Sequence, residues 1–80
     1  MSVLEKEEIA LKCLLKLKKA KENGVNQLNV DKTIDEVSNT RGFDGILIKE
    51  SLLAYKYVEI DGFDFGITDT GLEFLEGKIN

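Results

Sequence analysis

Asp61 and Asp64 lie close enough in the sequence to raise the question of a metal site, but their setting, Asp61-Gly62-Phe63-Asp64, does not fit the ligand spacing of a calcium loop. No other spacing promises catalysis. Histidine is absent, which removes the commonest general base and the commonest metal ligand. No Ser, Cys or Lys has an identifiable base partner, and Gly62 and Gly66 belong to no phosphate-cradling pattern. Cys13 stands among apolar positions of a helical stretch and reads as a small core residue rather than a nucleophile. The expectation is a binding protein with no enzyme activity, no metal and no cofactor.

The elements that must position any binding residues can be read along the chain. Eighty residues make one small domain over 1–80, with a core barely large enough for independent stability. An apolar fraction of 42% with 32% charged residues is ordinary for a globular chain. No apolar run approaches the roughly 18 residues of a membrane span, and there is no signal-peptide pattern. A lone cysteine fits a reducing, cytoplasmic setting. The net charge of −4 is unevenly spread: residues 1–21 carry six lysines and three glutamates, and the remainder carries five basic and twelve acidic residues.

The first helix is predicted from about Val3 to Glu22, rich in good helix formers, with Ser2 and Glu5 as a capping box and Asn23-Gly24 as the stop. Its helical period places Val3, Ile9, Ala10, Cys13, Leu14, Leu17 and Ala20 on one broad face. Leu4, Leu11 and Leu15 form a separate narrow stripe, and Lys12, Lys16 and Lys19 a third. A short connection over 25–30, with room for one short strand, leads to a second helix capped by Asp31 or Asn29, with Ile34 and Val37 inward. The turn Ser38-Asn39-Thr40-Arg41-Gly42 precedes a third helix from about Phe43 to Tyr55.

Asp61-Gly62 then predicts a type I′ hairpin turn, setting Ile60 opposite Phe63 and Val58 opposite Phe65. Val58, Ile60, Phe63, Phe65 and Ile67 would share one buried face. Thr68 would cap a last short helix over Asp69 to Glu76, which Gly77 would end.

The end of the third helix running into Tyr57-Val58-Glu59, the hairpin, and Ile67-Thr68-Asp69-Thr70-Gly71-Leu72-Glu73-Phe74-Leu75 together resemble a winged-helix domain, a variety of helix-turn-helix. The last segment is similar to the signature I-T-x-x-G-x-x-F-L of many small winged-helix regulators. Lys56 stands where that family often has glycine. The resemblance implies an α+β, mostly helical fold with three helices, a two-stranded wing hairpin and a short C-terminal helix. It also implies a DNA-binding transcriptional regulator, because most members place helix three in the major groove of double-stranded DNA and the wing along its backbone.

Under that function, Asn39, Thr40 and Arg41 in the turn, with Lys49, Ser51 and Lys56 on or after helix three, are the candidate nucleic-acid contacts. Arg41 reads equally as a phosphate or guanine contact and as a solvated turn residue. The hairpin's polar residues, Glu59, Asp61 and Asp64, would meet phosphate as like charge. Helix three is apolar on nearly all sides: Ile48, Leu52 and Tyr55 share one face, and Phe43, Leu47 and Ala54 another, with Ile46 and Leu53 beside it. These features suit the alternative, a winged-helix protein–protein interaction module without DNA binding. The Leu4, Leu11, Leu15 stripe is the expected interface of a homodimer.

Overall fold

The computed structural model describes the backbone of residues 3–38 and 43–79 and the side chains of 6–38 and 44–78. It is an α+β fold with the order α1 (Val3–Glu22), β1 (Leu28–Asn29), α2 (Val30–Ser38), α3 (Phe43–Ala54), β2 (Val58–Asp61), β3 (Asp64–Ile67) and α4 (Asp69–Ile79). The predicted Ser2 cap, the side chains of Leu4 and Phe43, and Asn39, Thr40 and Arg41 lie outside the described residues.

Local sequence explains most boundaries. Helix α1 ends in a Schellman motif. Gly24 takes φ 84°, its N–H donates to Lys21, and the Val25 N–H reaches back to the Ala20 carbonyl at 2.8 Å. Asn29 caps α2, its Oδ1 accepting the Lys32 N–H at 2.9 Å. Helix α3 ends in the same way as α1, with Lys56 N–H donating to Leu53 and Tyr57 N–H to Leu52. Here the left-handed position belongs to Lys56, at φ 62°. A lysine pays a steric penalty there that glycine avoids.

The three strands form an antiparallel sheet in the order β1-β3-β2. The expected two-stranded hairpin is thus joined by β1, which lies within the 25–30 connection that had room for one short strand, whereas the turn differs from expectation. Asp61 pairs with Asp64, Ile60 with Phe65 and Val58 with Ile67, so Gly62 and Phe63 form the loop. Gly62 has φ 65° and Phe63 does not share a positive φ, which is the pattern of a type II′ turn with glycine first. This register spares Asp61 the left-handed conformation that a type I′ turn demands. It also centres Phe65 between Ile60 and Leu28, its partner on β1. The offset from the expected pairing is even, so Val58, Ile60, Phe65 and Ile67 still share a face. Phe63 leaves that face for the turn and is 84% exposed, and Ile60 is half-exposed near the tip.

The core gathers Cys13, Leu14 and Leu17 from α1, Val30 and Ile34 from α2, Ile48 and Leu52 from α3, Val58, Phe65 and Ile67 from the sheet, and Leu75 from α4. Leu72 packs at its margin. The opposite face of β3 is also covered: a Cβ on Gly66 would stand 2.6 Å from the Asn26 carbonyl oxygen, so the segment entering β1 runs directly over it.

Thr68 joins the two halves. Its Oγ1 accepts the Gly71 N–H at 3.1 Å, capping α4, and donates to the Lys56 carbonyl at 2.6 Å. Its N–H donates to the Tyr57 carbonyl at 3.0 Å. Gly71 is buried against that same carbonyl, with Ile67 Cγ1 2.8 Å from where a Cβ would stand. Helix α4 runs through Gly77 to Ile79 rather than stopping at Glu76. Gly77 has helical backbone and open space around it, and nothing forces it into the left-handed stop.

Two substitutions test this packing by equilibrium unfolding. Phe65→Ala, at the centre of the sheet and fully buried, is expected to cost about 3 kcal/mol or more. Lys56→Gly is expected to stabilise by roughly 0.5–1 kcal/mol, the relief of left-handed strain less the chain entropy that glycine loses on folding.

Candidate interaction groove

An open groove of about 820 Å³ lies between α2, α3 and the hairpin tip. Val30 and Ile34 form its α2 wall, with Asp31 and Lys32 at the rim. Gly45, Ile46 and Lys49 form its α3 wall, and Ile60, Gly62 and Phe63 close it from the hairpin. The tip is anchored: the Val30 N–H donates to the Phe63 carbonyl at 2.9 Å. The backbone of Phe63 is thus fixed to the start of α2 while its ring stands in solvent. Ile46, one turn before Lys49 on α3, is 52% exposed. Three large apolar side chains, Ile46, Ile60 and Phe63, therefore meet at one exposed place, whereas scattered single hydrophobes would need no explanation.

The described nucleic-acid candidates, Lys49, Ser51 and Lys56, do not share one face. Lys49 lines the groove, half-buried, with its Nζ 4.0 Å from a Glu50 carboxylate oxygen. Ser51 is exposed, but two residues on from Lys49 it points to a different side of α3. Lys56 is exposed beyond the helix end, at the strained cap. On the hairpin, Glu59 and Asp61 are exposed and Asp64 is half-buried. Helix α3 is buried through Ile48 and Leu52, and its exposed side carries Ile46, Glu50, Ser51 and Ala54.

The proposed dimer stripe is divided as well. Leu11 packs against the chain's own core, while Leu15 is 38% exposed. The lysine face of α1 has a structural use, since Lys16 forms an ion pair with Glu36 on α2. The hydrogen bond from Lys16 holds the Glu36 carboxyl below its usual range. Burial pushes the Cys13 thiol up to about 12, despite the nearby Lys16 charge, so at neutral pH it is a packing group and not a thiolate nucleophile. Among the described residues no group of three or more Cys, Asp or Glu is placed to hold a metal ion. Among the same residues no helix is long and apolar enough to cross a membrane.

A row of stacked rings follows α3. Tyr55 lies over Tyr57 at 5.5 Å between centroids, Tyr57 over Phe74 at 4.3 Å, and Lys78 Nζ sits 5.6 Å from the Phe74 centroid. These rings clamp the α3 end to α4 beside the Thr68 joint.

Phe63, expected on the buried hairpin face, is 84% exposed, and Ile46, which no sequence pattern marks as exposed, stands open beside it. The available signal was Gly62 itself: glycine as the first residue of a two-residue loop marks a type II′ turn and puts the next residue at the tip. Comparison of the chain with protein-family models, with curated proteins and with solved structures found no match.

Proposed function

We propose that this chain is a winged-helix domain whose α3 and hairpin dock on another protein surface. The fold assignment is supported by the element order and by the pairing of the short β1 with β3, which gives α2 and α3 the helix-turn-helix places and the β2–β3 hairpin the place of the wing. The docking role is carried by one observation: Ile46, Ile60 and Phe63 converge, exposed, on the groove where α3 meets the hairpin. An aromatic ring on a backbone fixed by hydrogen bonds loses little freedom on binding, which makes it an effective anchor.

A second reading, a transcriptional regulator that binds double-stranded DNA as a homodimer, draws on the same element order and on Lys49 and Ser51 of α3. Its electrostatics are less favourable. The hairpin that would lie on phosphates carries Glu59, Asp61 and Asp64, and the chain's pI is about 4.8. In this reading Arg41 is the leading contact.

A pull-down against duplex DNA fragments and cell lysate in parallel separates the two. The docking reading expects no retained duplex at low salt and a captured protein that is lost with Phe63→Ser. Retention of duplex DNA that weakens with Arg41→Ala, and falls steeply with added salt, would overturn it in favour of DNA binding.

A further inference from the structure

We propose that the partner docks as an extended strand along the outer edge of β2, with apolar side chains on one of its faces and lysine or arginine on the other. This rests on reading the hairpin as part of a docking surface and adds the chemistry of what binds there.

The first argument is the backbone. The Thr68 N–H donates to the Tyr57 carbonyl at 3.0 Å, so Tyr57 and Thr68 are a hydrogen-bonded pair next to the β2–β3 ladder. Such pairs alternate in an antiparallel ladder, which makes Glu59–Gly66 and Asp61–Asp64 the next two. The N–H and C=O of Val58 and Ile60 therefore point away from β3. Among the described residues no strand lies on that side of β2. Val58 is covered, at 3% exposure, but Ile60 is 37% exposed and offers both groups to a strand laid alongside. Side chains of that strand would alternate as those of β2 do. One set would continue the face of Ile60, which lines the groove, and the other the face of Glu59 and Asp61.

The second argument is charge. Glu59, Asp61 and Asp64 share the face opposite Ile60, and Asp61 is paired directly across from Asp64. Like charges so placed oppose the pairing of their strands. Lys21 lines the same recess as Glu59 without forming an ion pair with it. Among the described residues none of the three carboxylates has an ion-pair partner. Cations on the incoming strand would offset this repulsion. The same charges turn away a second copy, because β2 edges paired about Ile60 would set Glu59 against the partner's Asp61, twice.

NMR titration of the full chain with the end-blocked peptide Lys-Val-Lys-Val-Lys-Val tests this. Saturating peptide is expected to slow hydrogen exchange at the Ile60 amide at least about tenfold, because that N–H gains an acceptor. The peptide Lys-Lys-Lys-Val-Val-Val has the same charge but cannot put cations and methyl groups on opposite faces, and should bind at least about tenfold more weakly. Glu59→Lys combined with Asp61→Lys should weaken binding of the alternating peptide by about tenfold or more, with an unchanged circular dichroism spectrum because both side chains are exposed. Equal binding of the two peptides overturns the inference, as does binding that leaves Ile60 exchange unchanged, or no binding at millimolar peptide. If the peptide fails while capture of a protein through Phe63 persists, this inference ends and the docking function stands.

Discussion

The structure depends on the contact between the end of α3 and the start of α4. Lys56 and Tyr57 turn the chain out of α3, and their two carbonyls are taken by Thr68, through its hydroxyl and its N–H. Gly71 lets α4 approach the Tyr57 carbonyl more closely than any side chain would permit. One threonine thus satisfies two carbonyls of the connection between α3 and β2 and caps α4, so that this part-buried junction leaves neither carbonyl orphaned. The Tyr55–Tyr57–Phe74 stack reinforces the same corner. The left-handed Lys56 is tolerated because the hydrogen bonds on either side of it leave the backbone no alternative.

What the corner fixes is the angle at which the hairpin leaves α3. The hairpin then packs Val58, Phe65 and Ile67 into the core and projects its tip toward α2, where Val30 holds the Phe63 carbonyl. The groove follows from these two anchors, one at each end of the hairpin. Its walls are helices already committed to the core through Ile34, Ile48 and Leu52, so it is built on rigid elements rather than on loops. In the proposed docking role, a partner would bind by displacing water from apolar side chains held in place, with charge at the rim to set orientation.

Much of this was legible in the sequence where the causes are local. Helix α1 and its glycine stop, the Asn29 cap and the Thr68 cap each depend on residues within a few positions of one another. The hairpin register was not legible, because Asp61-Gly62 and Gly62-Phe63 both make acceptable turns. The choice falls to β1, whose Leu28 aligns with Phe65 from more than thirty residues away. That one non-local pairing moves Phe63 from core to surface, and with it the candidate site. Gly77 shows the converse error: a glycine near a helix end suggests a stop, yet only a left-handed backbone would make it one. The candidate DNA contacts on and after helix three follow from residue type alone, and the fold puts Lys49 and Ser51 on different sides of α3 and Lys56 beyond its end.

The most direct test of the α3–α4 corner is the same substitution made at two glycines of one helix, followed by urea unfolding at equilibrium. Gly77→Ala, in open helical space, should stabilise by about 0.5–1 kcal/mol through helix propensity alone. Gly71→Ala should instead destabilise by roughly 2–3 kcal/mol, because its methyl must displace the Tyr57 carbonyl and open the joint. Opposite signs at the two positions support the account. A Gly71→Ala variant as stable as the wild type, or more so, would contradict it.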